Sequence, residues 1–178
     1  LWMSVVLPWS RPAPHVTLLI GLAVAEGVER AAPDVRVGLK WPNDLQVGPR
    51  KLGGVLCESA GGVAVAGIGI NLKPLMDAPD EVRTRATSLE VETSRALASS
   101  VLAESVITEL RQREAPTSHL DETTLEALRG RDALSGARVH TDEHGSGVAR
   151  GIDRDGALLL ERPDGSRVRV VAGSVRPL

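Results

Sequence analysis

Residues 35–72 read VRVGLKWPNDLQVGPRKLGGVLCESAGGVAVAGIGINL. Apolar and polar residues alternate along much of this stretch, which is the pattern of half-buried β-strands. Short segments rich in glycine, proline or asparagine interrupt the alternation, and connections this short join antiparallel neighbours. We therefore predict four strands of a largely antiparallel sheet, at Val35–Trp41, Leu45–Val47, Leu52–Glu58 and Val63–Leu72.

Helical patterns flank this sheet on both sides. The first is a mostly apolar run, typical of a core helix that packs on a sheet. Two more follow the sheet, the first with Thr93 or Ser94 as its capping residue and the second stopped by Gly130. The predicted elements are a strand at Leu1–Leu7 and helices at His15–Arg30, from Thr93 or Ser94 to about Glu114, and at Asp121–Arg129. The fold class is therefore α+β: a mixed, largely antiparallel sheet with packed helices.

The sequence changes character at Leu134. Helical periodicity stops, and the turn sequences DRDG at 153–156 and PDGS at 163–166 separate short β-patterned runs. Four or five short strands in a segment of this length fit an SH3-like β-barrel. We predict domains at 1–133 and 134–178, with a modest, partly polar interface. The predicted strands of the second domain are Arg138–Thr141, Gly147–Ile152, Ala157–Glu161 and Arg167–Ala172.

Composition excludes several classes of protein. The net charge is −2 without a basic block, which argues against a nucleic-acid or membrane-surface binder. The apolar runs are too short for a membrane span. A single cysteine, Cys57, cannot form an internal disulfide, and no signal-like segment opens the chain, so we expect a cytoplasmic setting. Because the chain begins at Leu1 inside a predicted strand, we also expect a fragment of a longer protein.

Lysine is rare and clustered in this chain. Of 21 basic residues only Lys40, Lys51 and Lys73 are lysine, whereas all the others are arginine. A compact ammonium group suits a site that needs a point charge. The hairpin-length connection predicts that Lys40 and Lys51 lie on adjacent strands, or in the turn between them, and open toward one cleft. Two like charges placed this way favour an anion between them.

Further polar and glycine residues accompany the two lysines. An amide and a carboxylate follow Lys40, and paired glycines after Lys51 let the backbone approach a bound group closely. Alternating glycines in the last strand leave a bare strip for a flat ring, and a terminal asparagine suits a purine edge. Each of these features alone also fits an ordinary turn or packing role. The residues are Asn43, Asp44, Gly53, Gly54, Gly67, Gly69 and Asn71.

In this order, KWPNDL, RKLGGVLCE and GIGINL resemble the catalytic domain of biotin protein ligases, and RGIDRDGALLLE resembles their C-terminal SH3-like domain. The resemblance covers nearly the whole chain. It implies a class II synthetase-like catalytic domain that uses ATP, biotin and Mg²⁺ to form biotinyl-5′-AMP. The biotinyl group then passes to a lysine of the biotin carboxyl carrier domain of acetyl-CoA carboxylase or a related carboxylase.

The resemblance also assigns roles to residues of this sequence. Lys51 would contact the carboxylate of biotin and the phosphate of the adenylate, while Lys40 and Asp44 would flank the phosphates and Mg²⁺. Asn71 would face the adenine. The remaining site residues, which would shape the binding surface, are Asn43, Gly53, Gly54, Gly67 and Gly69. The family's GRGR-x-GR loop, which folds over the ligands, is not found in this sequence, so activity of the chain by itself is left open.

Two other functions stay open on the sequence. A lipoate-protein ligase would share the catalytic fold and the adenylation chemistry. A non-catalytic binding or dimerisation module would account for the lack of the loop. The sequence leaves the acceptor carboxylase, a role in repression and the oligomeric state, including a homodimer, undecided.

Overall fold

The computed structural model describes residues 1–9, 14–60, 63–114 and 119–178. Two five-stranded antiparallel sheets and five helices make up this part of the chain. The strands are β1 Trp2–Leu7, β2 Gly38–Lys40, β3 Asp44–Val47, β4 Arg50–Ala60, β5 Val63–Ile70, β6 Arg138–Thr141, β7 Gly145–Ile152, β8 Leu158–Glu161, β9 Arg167–Val170 and β10 Val175–Pro177. The helices are α1 Pro14–Ala31, α2 Asp80–Arg85, α3 Leu89–Thr93, α4 Ser99–Arg111 and α5 Glu122–Arg129. The predicted α+β class is confirmed.

The first sheet has one covered face and one open face. Its strand order is β1-β5-β4-β3-β2, and every pairing is antiparallel. Along β5 buried and half-buried residues alternate, so that Ile68 and Ile70 point into the core while Gly67 and Gly69 do not. Because side chains alternate between the two faces of a strand, this pattern assigns each residue of β5 to one face.

Helices α1 and α4 form the layer next to the sheet. The apolar residues of α1 are buried nearly all round, including Ile20, Leu22 and Val24, as its composition predicts. At Gly27 the two helices come very close, since a Cβ built there would lie 2.7 Å from Val106 Cα. Glycine therefore permits the close approach of α4 to α1.

The helix predicted from Thr93 or Ser94 to Glu114 corresponds to α4, which begins later, at Ser99, and ends at Arg111. Helix α3, which was not predicted, ends at Thr93, because the left-handed backbone of Ser94 (φ 55°) stops the helical hydrogen bonds. Helix α4 then begins after Ala98, which has no side-chain cap. The prediction was wrong at this end because a Ser-rich segment offers several capping residues, and only the backbone angles select among them.

The second sheet has the order β10-β6-β7-β8-β9. Its strands carry alternating buried residues that face one side, and the predicted turns at Gly156 and Gly165 have positive φ. Strand β10 was not predicted, because three residues are too few to show a period. Within the described residues no pairing joins β9 to β10, so the hydrogen-bonded sheet is open there.

A paired carboxylate and guanidinium connect α1 with the segment that leads into the second sheet. Arg131 donates to both oxygens of Glu29, at 2.5 and 2.9 Å, and Glu29 also accepts the Val37 N–H at 2.9 Å. Both side chains of the pair are less than one fifth exposed. Burial raises the pKa of Glu29, but the hydrogen bonds from Arg131 and Val37 and the charge of Arg36 outweigh it, and the pKa lies below its usual value.

Glu29→Gln is expected to lower the free energy of unfolding by about 2 kcal/mol, because it removes a charged hydrogen bond at a poorly hydrated site. A carboxylate with a depressed pKa stabilises the fold above its unfolded-state pKa, and that contribution is lost as pH falls through its folded-state pKa. The difference between wild type and variant should therefore shrink in acid. Denaturant unfolding at several pH values measures this, and Glu122→Gln, at an exposed pair, is the control with little expected change. Equal effects of the two substitutions would contradict the prediction.

None of the helices within the described ranges is long and apolar enough to cross a membrane.

Candidate active site

The register of the first sheet places four of the predicted site residues in one row. Lys40 of β2 lies opposite Asp44, Asp44 opposite Gly54, Gly54 opposite Gly69, and Gly69 opposite Trp2. Residues directly opposite one another in a sheet share a face. The row therefore crosses all five strands on the open face.

A β-bulge brings Lys51 to the same face. Lys51 and Gly54 are three positions apart on β4, and the period of two would put them on opposite faces. The register shifts between Leu45 and Gln46, so that Leu45 pairs with Gly53 whereas Gln46 pairs with Lys51. The extra residue, Leu52, restores Lys51 to the open face.

Lys40 and Lys51 share the carboxylate of Asp44. Lys40 Nζ lies 3.0 Å from Asp44 Oδ2, and Lys51 Nζ lies 2.5 Å from Asp44 Oδ1. The two ammonium groups thus lie on the same face of the sheet, but the lysines are not on adjacent strands as predicted, because β3 lies between β2 and β4. The anion between the two cations is a side chain of the protein itself.

Charge and exposure distinguish the members of this triad. Burial raises the pKa of Asp44, but hydrogen bonds and charge from Lys51 and Lys40 outweigh burial and hold the pKa below its usual value. Two ammonium groups and one carboxylate leave an excess of one positive charge. Lys40 and Asp44 are 17% and 16% exposed, whereas Lys51 is 51% exposed. The excess charge is therefore offered to solvent through Lys51.

An open groove of about 570 Å³ runs along the open face from Lys51. Of the residues that line it, Lys51 alone is charged, and the groove continues over Gly54, Gly67 and Gly69 to Asn71. The groove is also lined by residues that were not predicted, among them Trp2, Ser4 and Leu56, because only the strand register brings them to it. Trp2 and Leu56 are 93% and 61% exposed, so they give the groove apolar borders.

The glycines of the site fall into two groups. A Cβ built on Gly69 would meet no atom within 4 Å, and one on Gly67 only the Leu56 carbonyl oxygen at 3.8 Å. Neither residue has positive φ. Neither packing nor backbone within the described residues therefore requires glycine there, and what the two glycines provide is free space above the sheet.

Gly53 has a different role. It pairs with the buried Leu45 and Ile70, so it lies on the covered face and not in the groove. A Cβ at this position would overlap the Gly69 carbonyl oxygen and lie 2.8 Å from Ile70 Cδ1. Gly53 permits the close packing of β4 against β5 that supports the floor of the groove.

The two asparagines make structural hydrogen bonds beside the groove. Asn71 Nδ2 donates one of its two N–H groups to the Thr87 carbonyl at 3.0 Å, which leaves the second N–H and the side-chain oxygen available to a ligand within the described residues. The backbone carbonyl of Asn43 accepts the Val55 N–H at 2.9 Å, which holds the turn before Asp44 against β4. The predicted adenine contact of Asn71 thus has the side-chain oxygen as an acceptor and the second amide N–H as a donor.

Few of the described side chains suit metal binding or nucleophilic catalysis. The described residues contain no group of three or more His, Cys, Asp or Glu side chains that could hold a metal ion. Burial raises the pKa of the Cys57 thiol and outweighs a hydrogen bond with Thr17 that lowers it. The raised pKa disfavours a reactive thiolate. The arrangement is suited to bind and polarise anions, with Lys51 as the accessible cation.

Comparison with known proteins first defines a class. The model of the Biotin/lipoate A/B protein ligase family matches residues 1–74. The model described as the Biotin protein ligase C terminal domain matches residues 138–176. The two matches contain the lysine–glycine site and the second sheet, respectively.

Individual relatives then specify the family. The chain is 33% identical over 172 residues to the Biotin--[acetyl-CoA-carboxylase] ligase of Paracoccus denitrificans, with 88% of this chain and 70% of the relative covered. It is 35% identical over 166 residues to the Mycobacterium tuberculosis protein of the same name, with 90% of this chain and 61% of the relative covered. The chain belongs to the biotin protein ligase family.

The fold agrees with that of a solved family member. The Aquifex aeolicus biotin protein ligase in complex with biotin and ATP superposes with a TM-score of 0.82 at 23% identity, over 99% of this chain and 78% of that one. Similarity at this level of identity shows the fold. The chain spans 61% of the length of the Mycobacterium tuberculosis relative.

Proposed function

We propose that this chain carries the activating site of a biotin protein ligase, which forms biotinyl-5′-AMP from biotin and ATP and transfers biotin to a carrier lysine. The observation that supports it best is the joint placement of Lys51, Lys40 and Asp44 at one end of a groove floored by bare glycine backbone. Membership of the family and the name of the Paracoccus denitrificans relative support the same reaction.

The first step of this reaction brings two anions together. An oxygen of the biotin carboxylate attacks the α-phosphorus of ATP, the bond to the β-phosphate oxygen breaks, and pyrophosphate leaves. Coulomb repulsion opposes the approach, so a positioned cation that contacts both groups lowers the barrier. Lys51 is the accessible cation of the groove, and we assign it this role. Lys40, held by Asp44, adds positive charge behind it.

The groove beyond Lys51 suits the rings of the ligand. Gly67 and Gly69 leave space for a flat group to lie on the sheet, and Trp2 and Leu56 offer apolar contact at its borders. Asn71 Oδ1 can accept one hydrogen bond there. We propose that Gly54, Gly67 and Gly69 form the floor of the groove. Gly53 supports this floor from the covered face of the sheet, and Asn43 supports it from the turn before β3.

In the second step the carrier lysine attacks the acyl carbon, an amide bond forms, and AMP leaves with the electrons of the acyl–phosphate bond. No covalent bond to the enzyme is needed. The acceptor we propose is the biotin carboxyl carrier domain of acetyl-CoA carboxylase or a related carboxylase. Positioning of the amine against the mixed anhydride is the main requirement.

Magnesium fits this donor set only as a companion of the nucleotide. Asp44 is the carboxylate at the site, and both of its oxygens contact lysines. Mg²⁺ commonly binds one or two carboxylates together with substrate phosphates. We propose that Asp44 is its protein ligand, which requires that one lysine contact be given up, and that the ion supplies charge neutralisation on the phosphates.

We further propose the finer features of the fold and setting. The second sheet would curve into the SH3-like barrel of the family, with the domain boundary at residue 134, and the match of the C-terminal domain model supports this. A cytoplasmic location stays our prediction from the single cysteine.

Pyrophosphate release tests the function. The protein, expressed with any coding sequence that precedes Leu1, is incubated with ATP, Mg²⁺ and either biotin or lipoate. We expect release with biotin that depends on ATP, and transfer of label from biotin to a purified carrier domain. Release with lipoate alone would favour the lipoate ligase alternative, since the matching family model includes both classes. Failure with both acids would favour a non-catalytic module and overturn the proposal.

A further inference from the structure

The turn that carries Lys40 and Asp44 is attached on both sides to the C-terminal part of the chain. Before Lys40, the Leu39 N–H donates to the Arg131 carbonyl at 2.7 Å, and the Leu39 carbonyl accepts the Ala133 N–H at 3.0 Å. After Lys40, Trp41 Nε1 donates to the Gly156 carbonyl at 2.9 Å. The segment 131–133 thus extends the sheet beyond β2, while the turn between β7 and β8 holds the indole.

The Trp41 contact is buried and closely packed. Trp41 is 1% exposed, so its N–H has no access to water as an alternative partner. Gly156 has φ +83°, and a Cβ there would lie 2.5 Å from the backbone nitrogen of His15. The α-carbon of the residue that accepts the indole N–H is therefore packed closely against the start of α1.

The accepting turn is itself rigidly held. Asp153 Oδ1 accepts the N–H groups of Asp155 and Ala157, at 2.9 and 3.0 Å. The Arg154 carbonyl accepts the Leu120 N–H at 2.8 Å. The acceptor of the Trp41 bond has little freedom to follow a displaced indole.

These contacts can affect the position of Lys40 and Asp44, because the anchored residues are their neighbours along the chain. Lys40 stands between two anchored residues, Leu39 and Trp41, and its ammonium group reaches the Asp44 carboxylate that also contacts Lys51. A shift of the turn that starts at Trp41 would move Lys40 and Asp44 together, relative to Lys51 on β4.

We propose that Trp41 is a positioning residue, whose indole N–H, bound to the Gly156 carbonyl of the C-terminal sheet, sets the placement of Lys40 and Asp44 against Lys51. This rests on the proposed function of the groove as an adenylate-forming site. Trp41 does not line the groove and acts through its neighbours.

Trp41→Phe tests the proposal because it removes the N–H and keeps most of the apolar volume. Trp9→Phe is the matched control, since Trp9 is a second buried tryptophan, 6% exposed. We expect kcat for biotin-dependent pyrophosphate release to fall about tenfold to a hundredfold in Trp41→Phe, with a much smaller change in KM for ATP. Trp9→Phe should keep the wild-type kcat at a comparable loss of thermal stability.

A measurement that needs no substrate tests the positioning role of Trp41 independently of the proposed function. Amide hydrogen exchange is measured by NMR at two N–H groups that report on the turn. The Val55 N–H donates to the Asn43 carbonyl, and the Leu39 N–H donates to the Arg131 carbonyl. We expect faster exchange at Val55 in Trp41→Phe and unchanged exchange at the core residue Ile68. If wild type activates no acid, the proposed function fails, while the exchange result still decides whether Trp41 holds the turn.

A second variant acts from the other side of the bond. Gly156→Ala displaces the acceptor and leaves Trp41 intact, so it should reproduce the fall in kcat and the faster exchange at Val55. The proposal is overturned if either folded variant keeps both the wild-type kcat and the wild-type exchange at Val55. It is also overturned if Trp9→Phe lowers kcat as much as Trp41→Phe does.

Discussion

Lys51→Ala is expected to reduce biotinyl-adenylate formation by a factor of about a hundred or more, which corresponds to about 3 kcal/mol of transition-state stabilisation. Lys51 is 51% exposed and lies near the start of β4, so its side chain contributes little to the fold. Under the proposed function, its ammonium group is the cation that biotin's carboxylate and the α-phosphate would both contact. Pyrophosphate release gives the rate, and thermal melting shows that the variant is folded.

Two further substitutions make this result specific. Lys51→Arg should rescue poorly, because a longer planar fork does not reproduce a point charge 2.5 Å from Asp44 Oδ1. Lys73→Ala removes an exposed lysine that does not line the groove, and it should leave the rate unchanged. Near-normal adenylation in a folded Lys51→Ala variant would refute the assignment, as would loss of activity that only follows unfolding.

The second large effect concerns two glycines on opposite faces of the same strand pair. Gly69→Val should abolish adenylation and leave stability equal or slightly raised, because the side chain would enter the groove and valine favours β-strands. Gly53→Ala should destabilise the fold by about 3 kcal/mol, because its Cβ would overlap the Gly69 carbonyl oxygen on a neighbouring strand.

The two variants serve as controls for each other when melting temperature and binding of a non-hydrolysable biotinyl-adenylate analogue are measured together. Gly69→Val should lose binding at a wild-type melting temperature. Gly53→Ala should show a lower melting temperature and bind the analogue once it is folded at low temperature. Tight binding by Gly69→Val would show that the ligand does not lie on this strip of the sheet.

Local signals predicted much of the fold. Helix α5 was predicted at Asp121–Arg129 and spans Glu122–Arg129. Asp121 caps its start by accepting the Thr124 N–H at 2.7 Å, and Gly130 follows its end as predicted. Strand β6 was predicted with its observed bounds, Arg138–Thr141, where exposed and buried residues alternate. Helix α2 was missed because none of its residues is buried and so no apolar stripe marks it.

The site was predicted in its chemistry more than in its geometry. The scarcity of lysine and the placement of Lys40 and Lys51 beside Asp44 indicated an anion site from sequence alone. The sequence could not place Gly53 on the covered face, nor show that the Asn71 amide donates to Thr87. Both depend on which residue of another strand or segment lies opposite, and that is a property of long-range pairing.

Composition and alternation by themselves determined the α+β class, the glycine-rich strands and the residue types of the site. Tertiary structure decided that Lys40, Asp44, Gly54 and Gly69 form one row, because strand register is fixed by the packing of the covered face. It also decided, through the bulge at Leu52, that Lys51 joins them. The bond from Trp41 to Gly156 spans 115 positions along the chain. No local pattern encodes such a contact, since it forms only when the two sheets pack together.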